Sequence, residues 1–375
     1  MINKDRLVRL TQKVIQINSE NPPGNEFQLA QFVAKELHRC GLEVKSYQFA
    51  KRRPNVIGIL KGESQKDSLL LSPHLDTVPA GKGWKINPFS GRIIDGKIYG
   101  RGATDCKGNL AVGIEVLRSL TEDRVKLKRD IIFAATADEE AGSGLGIIPL
   151  LEKAILKPSA AVILDSEEFN IIIAQKGLIH FKVKIFGKKA HGAYPQLGKN
   201  AIEFAAKIIN DLENHKFKFR RHPLLKGPTI NIGTIKGGDK VNMVADYCEF
   251  EVDLRFLPGM KVNDILRQIK NIIRKRASRF KLVIDGIQQP CEMDKNHLLV
   301  KALLGANQRI ANKGALKGSE GATVISFFLE KGIPALATGF GKEGMAHVTD
   351  ECVQIKDLYL GALALEGFIK KFCAN

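Results

Sequence analysis

The chain has 375 residues, of which 44% are hydrophobic and 26% are charged, and its net charge is +18; these proportions are those of a globular protein and exclude a disordered or collagen-like chain. The length exceeds the roughly 250 to 300 residues at which a single hydrophobic core stops growing, which favours two domains. Because the sequence has no apolar run long enough to span a membrane and no signal peptide, we expect a cytoplasmic protein without a membrane partner.

Helical and strand patterns alternate through the first part of the chain. Hydrophobic residues at helical spacing predict a helix from Leu7 to Ile17 and another from Phe27 to Leu37 that ends before Gly41. A further helix is predicted from Asn109 to Leu120. Short apolar runs predict strands at 55–60, 68–72, 131–137 and 160–164. This alternation is typical of an α/β sheet with helices on its faces.

The pattern changes near Gly177. Strict alternation predicts half-buried strands at 181–186 and 247–255, and helical spacing predicts helices at 201–212 and 262–276. After Pro290 helical and strand patterns alternate again, with a helix at 298–310, a strand at 333–338 and a last helix at 356–372. We therefore predict a catalytic domain of residues 1–176 and 289–375, interrupted by a small α+β domain of residues 177–288.

Basic residues cluster at 126–129, 216–221 and 274–279. The middle cluster interleaves Phe217 and Phe219 with Lys and Arg, as proteins that bind single-stranded nucleic acid do. Because each cluster lies beside a helical pattern, we interpret it as a solvated face and do not expect a nucleic-acid partner. The six cysteines are scattered without a Cys-x-x-Cys pair, which favours reduced thiols and again a cytoplasmic location.

Imidazole and carboxylate side chains follow several predicted strands. His74 follows the strand at 68–72, Glu139 and Glu140 follow 131–137, Asp165 follows 160–164, and His347 lies beyond 333–338. Open α/β sheets build their sites at the carboxyl ends of strands, so we expect these side chains to meet. Nitrogen and oxygen donors without a thiolate pair are the ligands that a pair of divalent metal ions needs.

The donors suffice for two ions if one carboxylate is shared. With Asp105 as the shared ligand, His74 and Asp165 complete one ion, Glu140 and His347 complete the other, and a common water gives each ion four ligands. Asp76, in a His-x-Asp arrangement, is expected to orient the imidazole through its second nitrogen. Glu139 is left as a base.

The chain resembles the co-catalytic di-zinc amidohydrolases and exopeptidases that include acetylornithine deacetylase, succinyl-diaminopimelate desuccinylase, aminoacylase and glutamate carboxypeptidase. The resemblance is carried by residues 72–81 (SPHLDTVPAG), 100–109 (GRGATDCKGN), 137–142 (ADEEAG), 164–167 (LDSE), 187–195 (GKKAHGAYP) and 345–351 (MAHVTDE). It implies two Zn²⁺ ions, with Co²⁺ or Mn²⁺ as substitutes. It also implies an α/β, phosphorylase/hydrolase-like mixed-sheet domain with helices on both faces, and a ferredoxin-like lid that forms a homodimer.

The resemblance assigns roles to individual residues. It implies the same ligands and the same roles for Asp76 and Glu139, a cis peptide bond between Asp105 and Cys106, and His191 reaching the active site of the neighbouring subunit. The resemblance also implies that Arg255, Asn242 and Glu320 contact the substrate. Arg255 suits this role because its guanidinium can bind both oxygens of a substrate carboxylate.

These roles predict a metal-dependent hydrolase in which a metal-bridging water attacks the amide bond of an N-acyl amino acid. Two alternatives stay open, a dipeptidase or carboxypeptidase of the same family, and a nucleic-acid-binding protein with an inactive metal site. Related deacetylases commonly show Glu-Pro where this chain has Leu164-Asp165-Ser166-Glu167, so Glu167 is an alternative ligand to Asp165.

Overall fold

The computed structural model describes residues 1–373, except for the side chains at positions 65 and 66, and divides into two compact units. The first unit comprises Met1–Ile173, Met293–Lys317 and the chain from Phe327, and the second comprises Ala174–Glu292 and Gly318–Ser326. Residues 318–326, expected in the catalytic domain, thus belong to the second unit. The reason is side-chain hydrogen bonding, since the Thr323 hydroxyl donates to Gln175 at 2.8 Å and the Gln288 amide donates to the Thr323 carbonyl at 2.6 Å.

The helices and strands are numbered in chain order. The helices are α1 (Lys4–Gln16), α2 (Glu26–Arg39), α3 (Lys107–Glu122), α4 (Ile147–Glu152), α5 (Ala201–Glu213), α6 (Val262–Arg276), α7 (Leu298–Ala311), α8 (Ile325–Glu330) and α9 (Ile355–Cys373). The strands are β1 (Glu43–Gln48), β2 (Pro54–Leu60), β3 (Ser64–Ser72), β4 (Arg92–Ile94), β5 (Lys97–Tyr99), β6 (Arg129–Ala135), β7 (Ala160–Ile163), β8 (Ile171–Gln175), β9 (Gly177–Phe186), β10 (Thr229–Gly237), β11 (Tyr247–Phe256), β12 (Phe280–Gln288), β13 (Cys291–Glu292), β14 (Leu316–Ser319), β15 (Ala335–Ala337) and β16 (Cys352–Gln354).

Helix α1 shows how the sequence produces these elements. The Asn3 side chain accepts a hydrogen bond from the Arg6 amide at 2.9 Å and so caps the start of the helix. Leu7, Leu10 and Val14 lie on one face at helical spacing and are all buried. The predicted helix is therefore confirmed, although it ends at Gln16.

A mixed sheet forms the centre of the first unit. Its strand order is β1-β2-β6-β3-β7-β15-β8, and β14 also pairs with β8. The short β13 belongs to the second unit and pairs there with the last two residues of β8. The neighbours β6, β3, β7 and β15 run parallel, whereas the strands on either side of this group pair in the antiparallel direction. The prediction of a mixed α/β fold is confirmed. The parallel group brings four strand ends to one edge of the sheet.

The second unit has its own sheet and core. Its strands are ordered β10-β11-β9-β12, and every neighbouring pair is antiparallel. With α5 between β9 and β10 and α6 between β11 and β12, the chain order is the βαββαβ arrangement of ferredoxin-like units. Every second residue of β11 is buried, so the sheet presents one apolar face to the core. The predicted functions of this unit, as lid and dimer contact, stay predictions.

Within residues 1–373, no helix combines the length and the apolar character that crossing a bilayer requires.

Candidate metal centre

The predicted ligands follow the carboxyl ends of the parallel strands. His74 comes just after β3, Glu139 and Glu140 after β6, and Asp165 after β7, while His347 lies in the segment between β15 and β16. Parallel strands place their carboxyl ends at the same edge of a sheet, so the topology itself gathers these side chains. The last predicted ligand, Asp105, lies in the loop that precedes α3.

His74 forms the first cluster with carboxylates. Its Nε2 atom lies 2.9 Å from Oδ1 of Asp105 and 3.9 Å from Oδ1 of Asp165. Its Nδ1 atom lies 2.9 Å from the backbone carbonyl oxygen of Asp76. Because carbonyl and carboxylate oxygens only accept hydrogen bonds, Nδ1 donates to Asp76 and Nε2 donates to Asp105. With the Nδ1 proton held by the Asp76 carbonyl, Nε2 is the nitrogen that would bind a metal ion after losing its proton.

His347 forms the second cluster. Its Nε2 atom lies 3.1 Å from Oδ2 of Asp105 and 3.2 Å from Oε2 of Glu140. The two oxygens of Asp105 therefore face different imidazoles, Oδ1 toward His74 and Oδ2 toward His347. In this geometry one carboxylate can contribute one oxygen to each of two metal sites.

The donor set fits a pair of metal ions. Ligand atoms lie within 4.8 Å of one another in a group of His74, Glu139 and Asp165 and in a group of Asp105, Glu140 and His347. Cys106 also lies beside His74, but its burial raises the pKa of the thiol to about 12, which disfavours a thiolate ligand. Imidazoles and carboxylates without a thiolate are suited to zinc, cobalt or manganese.

The carboxylates of the two clusters lie close together, and the histidines do not balance their negative charge. Burial and the neighbouring Asp105 raise the pKa of Asp165 to about 7, and burial and Asp165 hold the pKa of Glu139 well above its ordinary value. Hydrogen bonds to Asp105 and Glu140 raise the pKa of His347 to about 10. Each shift expresses the same imbalance, in which negative groups repel one another and stabilise any nearby cation. Divalent ions would relieve that repulsion.

Asp76 contacts His74 through its backbone and the glutamate turn through its carboxylate. Its carboxylate oxygen Oδ1 lies 3.7 Å from Nδ1 of His74, too far for a hydrogen bond, and the backbone carbonyl of Asp76 orients the imidazole instead. The carboxylate accepts hydrogen bonds from the backbone amides of Glu139 and Glu140, each at 3.1 Å, and from Asn21 at 2.9 Å. Asp76 thus contacts the second nitrogen of the imidazole through its backbone, and its predicted role in orienting that ring stays a prediction.

Asp165 and Glu167 face different surroundings. Asp165 lies in the cluster with His74, whereas the carboxylate of Glu167 accepts hydrogen bonds from the amides of Gly344 at 2.9 Å and Ala346 at 3.3 Å. Glu167 therefore holds the loop that leads to His347. The geometry favours Asp165 over Glu167 as the ligand.

The profile of peptidase family M20/M25/M40 matches residues 70–371. The chain belongs to this family. Its members are metal-dependent hydrolases of amide and peptide bonds, and this chain is such an enzyme. The family-level resemblance is confirmed, whereas the closer likeness to the deacetylases and desuccinylases stays a prediction.

Solved structures of peptidases resemble this M20 family protein over nearly its whole length. A tripeptidase from Staphylococcus aureus is 25% identical, with a TM-score of 0.84 and 99% of both chains covered. Aminopeptidase PepT from Bacillus cereus is 24% identical, with a TM-score of 0.81 and 99% of both chains covered. A dinuclear metal-binding M20 peptidase from Bacillus subtilis is 17% identical, with a TM-score of 0.76, and 99% of this chain and 98% of that one are covered. The latter two likenesses concern the fold alone.

In the second unit of the M20 protein, the segments that carry His191 and Asn242 lie side by side. The Gly192 amide donates to the Asn242 carbonyl at 2.8 Å, and the Val244 amide donates to the Ala190 carbonyl at 2.9 Å. Both predicted residues are exposed, and Nδ1 of His191 accepts a hydrogen bond from the Ala193 amide at 3.1 Å. Its Nε2 edge thus remains the one available to a ligand.

The remaining predicted substrate residues are held by ion pairs within the same unit. Arg255 donates from Nε and Nη2 to the Asp253 carboxylate at 2.7 and 2.9 Å. Glu320 lies 2.5 Å from Nζ of the buried Lys176 and accepts a hydrogen bond from the Lys226 amide at 2.9 Å. The Arg255 guanidinium and the Glu320 carboxylate, both predicted to contact the substrate, are thus already in contact with charged groups of the protein.

Two further residues of the M20 protein contact the loops of the predicted ligands, and the sequence analysis gave neither of them a role. Arg101 and Glu351 are almost fully buried and form an ion pair at 2.7 Å next to the ligand segments. Arg101 lies in the glycine-rich motif at 100–109, where its charge was the available signal, and Glu351 ends the motif at 345–351.

Proposed function

We propose that this protein is a dinuclear metallopeptidase that hydrolyses short peptides. The observation that carries the proposal is the Asp105 carboxylate, which faces a histidine-carboxylate cluster on each side. The likeness to a tripeptidase supports short peptides over the N-acyl amino acids that the sequence favoured.

In this proposal His74 and Asp165 hold one ion, Glu140 and His347 hold the other, and Asp105 contacts both. We assign Zn²⁺ as the native metal, because imidazole and carboxylate donors suit it, with Co²⁺ or Mn²⁺ as substitutes. The bound ions would polarise the scissile carbonyl group and increase the acidity of the attacking water.

Glu139 serves as the general base and acid. Its side chain lies in the cluster with His74 and Asp165 but is not needed as a ligand, because His74, Asp165 and Asp105 hold that ion in this proposal. A carboxylate that stays free beside the metal ions can accept a proton from the attacking water. The same group then delivers that proton to the departing amine, so one residue acts in both steps.

The second unit supplies substrate contacts in this proposal. His191 from a second copy of the chain donates a hydrogen bond to the developing oxyanion. Arg255 contributes to binding of a substrate carboxylate through Nη1, for which no hydrogen bond is seen in the described part of the chain. Asn242 and Glu320 contact the rest of the peptide. The homodimer required for the first of these contacts is part of the proposal.

A substrate panel tests the proposal. The Zn²⁺-loaded protein is assayed with tripeptides, dipeptides, N-acetyl amino acids and N-succinyl amino acids, and kcat/KM is compared across the classes. We expect the free peptides to be hydrolysed most efficiently and the activity to disappear after treatment with a chelator. Faster hydrolysis of the acylated amino acids would favour the deacylase, and a protein that binds no metal would refute both enzymes.

A further inference from the structure

Glu351 ends the last motif of the sequence, and its side chain is fully buried. Its carboxylate accepts hydrogen bonds from three backbone amides of one loop, those of Gly102 at 3.0 Å, Thr104 at 2.8 Å and Asp105 at 3.0 Å. The last of these amides belongs to the residue that faces both metal clusters. Glu351 therefore controls the position of the loop that presents the Asp105 carboxylate.

Arg101 joins this loop to two other ligand segments. Its Nη1 atom donates to Glu351 at 2.7 Å and to the Val348 carbonyl at 3.1 Å, and its Nη2 atom lies 3.5 Å from the carbonyl oxygens of Ala80 and His347. The planar guanidinium can reach several acceptors at once, which a lysine ammonium cannot do in the same geometry. Arg101 thus contacts the segments that follow His74 and His347 as well as its own.

We propose that the Arg101–Glu351 ion pair positions the metal ligands, holding the segments of His74, Asp105 and His347 at the spacing that the ions need. This inference rests on the proposed function, since it concerns the same metal centre. Both residues act through the ligands and are positioning residues. Outer partners of metal ligands typically contribute 10- to 100-fold to metal affinity, roughly, because they orient the ligands before the ion arrives.

The alternative is that the pair only stabilises the fold. A second ion pair in the first unit provides the control, because the carboxylate of Glu115 is also fully buried and accepts hydrogen bonds from Arg6 Nε at 2.6 Å and from the Asn3 amide at 2.8 Å. Glu115 lies within α3, Arg6 belongs to α1 and Asn3 caps that helix, so none of these groups belongs to a metal-ligand segment. Each substitution removes the charge of a fully buried carboxylate that pairs with an arginine.

The experiment compares Glu351→Gln with Glu115→Gln. Zn²⁺ affinity is measured by competition with a chromophoric chelator, and the stability of the metal-free proteins is measured by thermal unfolding. We expect both variants to be less stable, but only Glu351→Gln to bind Zn²⁺ more weakly, by about 10- to 100-fold. Equal Zn²⁺ affinity in Glu351→Gln and the unmodified protein would overturn the inference.

Arg101→Lys keeps the test valid if Glu351→Gln does not fold. This variant retains the positive charge beside Glu351 but loses the planar guanidinium that reaches several acceptors at once. We therefore expect weaker Zn²⁺ binding and an altered absorption spectrum of the Co²⁺-loaded protein. An unchanged spectrum and unchanged affinity would count against positioning. If the unmodified protein binds no metal, the proposed function itself fails; if it binds two ions and both variants bind them equally well, only this inference fails.

Discussion

Glu139 and Glu140 are neighbours in sequence but enter different clusters. They begin a short 3₁₀ turn, Glu139–Ala141, that follows Asp138 in the left-handed conformation with φ of 69°. The Asp76 carboxylate accepts hydrogen bonds from both glutamate amides and so holds the turn in place. Consecutive residues of a tight turn point in different directions, which lets one side chain join His74 and the other join His347. A pair of identical residues can therefore perform separate tasks.

Replacing Glu139 by alanine tests this division at the scale of one residue. We expect Glu139→Ala to bind the same amount of metal as the unmodified protein and to lose roughly 10²- to 10⁴-fold in kcat, the usual contribution of general acid-base catalysis. Elemental analysis and steady-state kinetics measure the two quantities. Glu152→Ala, on the exposed surface of α4, is the control and should change neither. A Glu139→Ala enzyme with full activity would reject the assignment.

At the scale of elements, the ends of β7 and β15 come unusually close. A Cβ atom added to Gly339, just after β15, would lie 1.6 Å from the backbone oxygen of Ser166, the residue after Asp165. Only glycine permits this approach, and the Phe169 amide donates to the Gly339 carbonyl at 2.8 Å in the same place. Close packing of these two strand ends positions Asp165 at the metal cluster.

Alanine substitutions at two glycines test this packing. We expect Gly339→Ala to destabilise the protein by about 1 to 3 kcal/mol, as overpacking does, because backbone must move to admit the methyl group. Gly305→Ala is the matched control, since a Cβ there meets no described atom within 4 Å and the site lies inside α7. That change should stabilise the protein by roughly 0.5 to 1 kcal/mol. Urea unfolding measures both, and a neutral Gly339→Ala would contradict the argument.

At the scale of the whole molecule, each unit has a core of its own. The second unit buries alternate residues of its sheet against α5 and α6. All proposed metal ligands, in contrast, belong to the first unit: His74, Asp105, Glu140, Asp165 and His347. A ligand that binds only the folded state stabilises the part of the protein that forms its site.

Metal binding should therefore act on one unfolding transition. We expect saturating Zn²⁺ to raise the Tm of the first unit and to leave that of the second unit unchanged. At a concentration 100 times the Kd, each bound ion stabilises the first unit by about 2.7 kcal/mol. Differential scanning calorimetry with Zn²⁺ and with a chelator measures this shift. Val252→Ala, in the core of the second unit, identifies the other transition by lowering it. Equal Zn²⁺ shifts in both transitions would contradict the expectation.

Local patterns in the sequence predicted the elements that bury one regular face. The helical spacing of α6 predicts its bounds, Val262–Arg276, and the alternation in β11 predicts a strand over nearly the observed range. The exposed edge strand β10 was missed because most of its residues face solvent, so no regular apolar face marks it. The site ligands could be proposed because their positions after strands are visible in the sequence, and a parallel sheet gathers such positions at one edge.

The sequence by itself thus determined the mixed α/β fold and the edge of the sheet at which the proposed metal ligands meet. Only the tertiary structure decided that the Asp76 carboxylate holds the glutamate turn, that residues 318–326 join the second unit, and that Glu351 contacts the loop of Asp105. The physical reason is the separation in sequence of the residues that interact. Periodic burial depends on residues near one another in the chain, whereas the amides that donate to a buried carboxylate lie in loops that are distant in sequence and meet only after folding.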